Sequence, residues 1–212
     1  AGLTPFLLGT GILLAGVLPT FLLRSIDRAL AGEPDAYAPR RLLVLARAAP
    51  LIVMVGGVVA LIETSQFALL PVWGLAHGLS ASGTALLLGL WIGGNILLQY
   101  PIGRLADRLP RRRLLAACAA LAAGLSGCLV SGTVATTPAL LWPVLLLHGG
   151  LSGGIYVLGL ALMGERFKGA SLAGANAAFI LTYELGAMAG PPAAGALQGL
   201  IGPAGLPLVF VV

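Results

Sequence analysis

Two carboxylic acids lie inside long apolar stretches of this 212-residue chain. The chain has seven acidic residues, and Glu63 and Glu184 are the two that interrupt such stretches. A charged side chain at the centre of a bilayer costs at least ~2.5–3.5 kcal/mol, so it normally faces a cavity or a polar partner. Burial away from water also disfavours the ionised form of a carboxyl group. Glu63 and Glu184 are therefore candidates for binding a proton or a cationic group.

Two further polar side chains, Asn95 and His148, interrupt neighbouring apolar stretches. At a helical rise of 1.5 Å per residue, they come close to the layer of Glu63 and Glu184. Glu, His and Asn in one layer of a helix bundle are typical of a substrate or proton site. The alternative is that these groups are neutral, bond between helices and serve packing alone.

The composition indicates that membrane helices position these residues. Hydrophobic residues make up 58% of the chain, and the mean hydropathy is +1.02, which leaves too little polar surface for a soluble domain. A helix that spans a bilayer needs about 20 mostly apolar residues. The sequence therefore predicts an all-α polytopic membrane protein with six full spans and a truncated seventh. The spans lie at roughly 3–23, 50–73, 83–102, 114–134, 140–163 and 172–194, with the seventh starting near Leu206.

All twelve Lys and Arg residues fall in alternate connections between the spans. Connections 24–49 and 103–113 hold five each, and connection 164–171 holds two, whereas the other three connections have none. The positive-inside rule places the basic connections in the cytoplasm. A soluble nucleic-acid binder would not show this one-sided pattern, so the net charge of +5 reflects membrane topology.

The connection GRLADRLPRRR, which begins at Gly103, resembles the loop signature of the major facilitator superfamily, roughly G-x-L-A-D-R-x-G-R-[RK]. Pro110 stands where the family usually has Gly. The resemblance implies a charge latch that holds one conformation, with Asp107 paired to Arg108 or Arg111. Gly103 is small enough for a neighbouring helix to approach closely. The alternative is a basic cluster that sets orientation and has no gating role.

A second stretch, GAMAGPPAAG from Gly186 to Gly195, resembles the family's glycine-proline motif, G-x-x-x-G-P-x-x-G. Gly186 and Gly190 form a small-xxx-small face for tight helix packing. Pro191 lacks a backbone N–H, so we expect a kink there. The resemblance implies that this helix also takes part in the contact between the two halves of a transporter.

The long basic connection after the first span resembles the linker between the sixth and seventh helices of the family. The resemblance implies three regions and places the chain in a bacterial branch of the superfamily. Residues 1–23 would be the last helix of the amino-terminal half, 24–49 the cytoplasmic linker, and 50–212 the carboxyl-terminal six-helix bundle with its last helix truncated. The missing amino-terminal half would then be a partner of this chain.

The resemblance implies a secondary active transporter of a small molecule in the inner membrane, working by alternating access with proton coupling. The resemblance implies no cofactor, no metal site and no enzymatic activity. The sequence also shows no Walker-type phosphate loop, which argues against ATP-driven pumping. One alternative is a membrane scaffold or sensor of the same fold that does not transport.

An intramembrane serine protease is the remote alternative, because GLSG strings surround Ser126 and Ser152. Such an enzyme needs a histidine on another helix to accept the serine proton. His148 precedes Ser152 by four residues on the same predicted span, and His77 lies at the outer boundary. The sequence therefore argues against this function.

Overall fold

The computed structural model describes residues 10–11, 44 and 46–211 of the chain. Its helices are α1 (Pro50–Ala76), α2 (Ala81–Ala106), α3 (Arg111–Val130), the short α4 (Gly132–Thr136), α5 (Pro138–Arg166) and α6 (Gly169–Ile201). Two 3₁₀ turns, Gly202–Ala204 and Val209–Val211, flank the short α7 (Gly205–Leu208). The described part contains no strand. The span expected at 3–23 and most of the connection 24–49 lie outside the described residues.

Within the described residues, five helical segments are long and apolar enough to cross a membrane: α1, α2, α3, α5 and the stretch Gly169–Val211. The prediction of an all-α membrane protein is confirmed, and each expected span between 50 and 194 coincides with one of these segments. Most span boundaries shift by two or more residues in the structure, and α3 and α6 are two examples. α3 ends at Val130, where Ser131 turns extended. α6 continues to Ile201, and Ala196, Leu197 and Gln198 in this extension are good helix formers.

Short connections reverse the chain between successive helices. Ser80 caps the start of α2 by accepting a hydrogen bond from the backbone N–H of Gly83 at 3.1 Å. Gly78, with φ at +78°, supplies the left-handed turn between α1 and α2 that a side chain would disfavour. Connections 103–113 and 164–171 lie at the same end of the bundle, where Arg111 pairs with Glu165.

The helices pack as two close pairs, α2 with α5 and α1 with α6, while α3 packs on α5. Glycines bring these backbones into contact. A Cβ at Gly94 of α2 would strike the carbonyl of Leu146, and one at Gly149 would strike the carbonyl of Trp91. Close backbone approach through small residues is the usual basis of helix association in membranes.

The glycine-proline motif lies against α1. A Cβ at Gly186 would strike the carbonyl of Gly57, and one at Gly190 would strike the carbonyl of Leu61. The described contacts of these two glycines are thus within one bundle, and α6 remains helical through Pro191. At Gly103, by contrast, a Cβ would meet nothing within 4 Å. The close approach expected there is not made by any described helix.

Replacing Gly94 by Ala should destabilise the protein by about 1–3 kcal/mol, because overpacking against backbone cannot be relieved by a side-chain rotation. Gly89 lies on the same helix with nothing within 4 Å of a Cβ. Gly89→Ala should therefore leave stability unchanged or raise it, since Ala is the better helix former. Thermal unfolding of the full-length protein in detergent measures both variants. Equal behaviour of the two would contradict the close contact of α2 with α5.

Candidate functional site

Glu63 on α1 accepts hydrogen bonds from two other helices. Its Oε1 accepts from Nδ2 of Asn95 on α2 at 3.2 Å. Its Oε2 accepts from the hydroxyl of Tyr183 on α6 at 2.7 Å. The carboxyl group therefore ties three helices together through both of its oxygens, as expected for an acid that needs polar partners inside a membrane bundle.

The polar contacts continue on both sides of the carboxyl group. Gln99 donates from Nε2 to Oδ1 of Asn95 at 2.7 Å. The ring of Tyr183 packs edge-to-face on the ring of Tyr156 from α5, with centroids 5.9 Å apart. These five residues form what we call the Glu63 network, and it crosses α2, α1, α6 and α5.

A glycine on α5 makes room for the network. A Cβ at Gly153 would come within 2.5 Å of Oδ1 of Asn95. The small residue thus lets the amide of Asn95 lie between α2 and α5 and still reach Glu63. Because this contact is part of the α2–α5 packing, the network depends on the close helix pair.

The hydrogen bonds around Glu63 all run towards its carboxyl group. Gln99 donates to Asn95, Asn95 donates to Glu63, and Tyr183 donates to Glu63 from the other side. An ionised carboxylate only accepts hydrogen bonds, whereas its protonated form carries one donor. A proton on Glu63 would add a donor to this group, and the contact with Tyr183 or with Asn95 would change if that donor faced it.

His148 lies outside this network, although the sequence places it close to the same layer. It is fully buried, its Nδ1 is 3.3 Å from Nε1 of Trp91, and its Nε2 is 3.0 Å from Oγ of Ser126. An indole N–H can only donate, so Nδ1 accepts and the ring proton is on Nε2. Ser126 then accepts from His148 and donates to the carbonyl of Ala122 at 3.0 Å. His148 therefore links α5 to α2 and α3 through its two ring nitrogens.

The hydrogen bonds of His148 also bear on the protease alternative. Ser126 and His148 do meet on different helices, which the sequence did not predict. The basic nitrogen of His148 is occupied by Trp91, however, and neither Ser126 nor His148 is exposed. Ser152 donates to the backbone carbonyl of His148 at 2.9 Å. In this geometry His148 is not free to accept a proton from either serine.

Glu184, the second acid predicted to lie inside the membrane, is exposed on α6. It makes no hydrogen bond or ion pair with the described residues. The residue that α6 contributes to the network is Tyr183, one position earlier. Consecutive residues of an α-helix point about 100° apart, so the two side chains cannot share a direction. The polar hydroxyl of Tyr183 inside an apolar span was the available signal.

The connection 103–113 is held by Arg111 at the start of α3. Its Nη1 is 2.9 Å from Oε1 of Glu165 on α5, and its Nη2 is 3.8 Å from Oδ1 of Asp107. Its Nε also donates to the carbonyl of Ala106 at 3.3 Å. Arg111 therefore joins the end of α2, the start of α3 and the end of α5.

The other charges of this loop contribute less. Arg108, the alternative partner of Asp107, is exposed and forms no ion pair with the described residues. Glu165, which the sequence did not single out, is the nearer partner of Arg111. Among the described residues, no group of three or more His, Cys, Asp or Glu could hold a metal ion.

A sequence model of the Major Facilitator Superfamily matches residues 52–212. The chain belongs to the major facilitator superfamily. It is 29% identical over 184 residues to the Uncharacterized MFS-type transporter Ent638_1421 of Enterobacter sp. (strain 638), covering 86% of this chain and 46% of the relative. It is 28% identical over 183 residues to the Uncharacterized MFS-type transporter YcaD of Escherichia coli O7:K1 (strain IAI39 / ExPEC), with the same coverage of each chain. No solved structure matches the chain.

The chain spans about half the length of the curated relatives that it matches. This coverage and the five membrane-capable helices agree with a carboxyl-terminal half of a multi-pass major facilitator protein. The resemblance of the GRLADR and glycine-proline motifs to this superfamily is thereby confirmed at the level of the family.

Arg111→Gln should lower the thermal stability more than Arg108→Gln, because only Arg111 bridges three helix ends. Arg111 and Glu165 are 27% and 54% exposed in their side chains, so their coupling should be about 0.5–1 kcal/mol in a double-mutant cycle with Glu165→Gln. Arg108→Gln is the matched control. Fully additive effects of Arg111→Gln and Glu165→Gln would show that the pair contributes nothing.

Proposed function

We propose that this chain forms the carboxyl-terminal half of a secondary active transporter that moves a small molecule across the bacterial inner membrane by alternating access. Membership of the superfamily and the names of the relatives support transport rather than enzymatic catalysis. The carrying observation is Glu63, a carboxyl group inside the bundle with hydrogen-bond donors from two other helices. We assign it as the site of proton coupling.

Coupling follows from the hydrogen bonds that the carboxyl group accepts. Loss or gain of a proton at Glu63 changes the number of donors it can accept, and each donor belongs to a different helix. The state of the proton thus biases the relative placement of α1, α2 and α6. A secondary transporter requires such a link, because binding shifts a conformational equilibrium only through different contacts in the two states.

The topology assigned from the sequence completes this proposal. The described Lys and Arg residues of the connections lie at one end of the bundle, which supports a cytoplasmic location for that end. Residues 1–23 are assigned to the last helix of the amino-terminal half and 24–49 to the cytoplasmic linker, with 50–212 as the carboxyl-terminal bundle. Arg111, with Glu165 and Asp107, is assigned as the latch that holds one conformation.

Infrared difference spectroscopy on the full-length protein tests the proton site without knowledge of the substrate. A pH change should produce carboxylic C=O bands from every acid that takes up a proton, and the component that belongs to Glu63 should be missing in Glu63→Gln. Glu184→Gln is the matched control, because this exposed acid directly follows Tyr183 on α6, and it should keep the Glu63 component. The nearby titratable groups besides Glu184 are the phenols of Tyr183 and Tyr156, which give no such band.

Carboxylic bands that are unchanged in Glu63→Gln would assign the proton to another acid and remove the coupling role. A component lost in both glutamine variants would show that the effect is indirect.

A further inference from the structure

The Glu63 network also indicates a class of substrate, an inference that rests on the proposed function. We propose that the transporter binds organic cations with an apolar or aromatic body, held between the carboxylate of Glu63 and the rings of Tyr156 and Tyr183. The argument has a charge part and an aromatic part, each carried by described residues.

The charge part is that Glu63 has only neutral partners in the described structure. Asn95 and Tyr183 donate to it, and it forms no ion pair with a described residue. The Lys and Arg residues of the described helices lie near the basic end, Arg104 in the last turn of α2 being an example. An organic cation is therefore attracted to an uncompensated carboxylate at this depth, and an anion is repelled.

The aromatic part is the cluster beside the carboxylate. Tyr156 packs edge-to-face on Tyr183 and on Phe179, with centroids 5.9 and 5.7 Å apart. Both tyrosines are half-buried, and the hydroxyl of Tyr156 makes no hydrogen bond with a described residue. A cation within about 6 Å of a ring face is attracted by the ring quadrupole. Carboxylate and rings together suit a weakly hydrated organic cation.

The test uses two probes of the same shape and opposite charge, tetraphenylphosphonium and tetraphenylborate, whose equilibrium binding to the full-length protein is measured. The cation should bind at least about tenfold more tightly than the anion, and Glu63→Gln should abolish this preference. Tyr156→Leu should weaken cation binding several-fold, whereas Tyr156→Phe, which keeps the ring, should retain it.

Equal binding of the two probes, or a cation preference that survives Glu63→Gln, overturns the substrate class. The proposed function fails separately, by the infrared measurement: a carboxylic band that disappears in Glu63→Gln supports proton coupling even when the probes bind equally.

Discussion

Inside a bilayer no solvent is available to pair with a polar atom, and the rest of this structure follows from that constraint. Glu63 must draw its partners from neighbouring helices, so α2 and α6 have to approach α1 closely. Glycines permit this approach: Gly186 lies against the backbone of Gly57, and Gly153 leaves room for Asn95. The polar network therefore depends on the small residues, because they let its helices approach closely.

Hydropathy and charge predicted much of the fold because the insertion of helices into a membrane depends on the same two quantities. Span positions between 50 and 194 followed from apolar length, and the family followed from two motifs. What these signals do not encode is the rotation of each helix about its axis. Glu184 and Tyr183 are adjacent in sequence and equal in depth, yet packing of α6 on α1 turns only Tyr183 towards Glu63. Sequence reasoning selected the acid and missed the phenol for that reason.

His148 shows the same limit. Depth along α5 placed it near Glu63, but its direction was set by the contact of α5 with α2 and α3. There it meets Trp91 and Ser126, whose donor and acceptor capacities fix its tautomer. Both ring nitrogens of His148 are thus used in contacts between helices. Glu63 and Asn95, which the sequence also placed near one layer, do make contact, because their helices face each other at that depth.

The bond between Tyr183 and Glu63 joins residues separated by 120 positions, and this separation has a consequence for biogenesis. At ribosomal rates of about 5–20 residues per second, roughly 6–24 s pass between synthesis of α1 and synthesis of its partner on α6. During that interval the nascent acid lacks one of its two donors. α1 can therefore complete its hydrogen bonds within the bundle only after α6 has been synthesised.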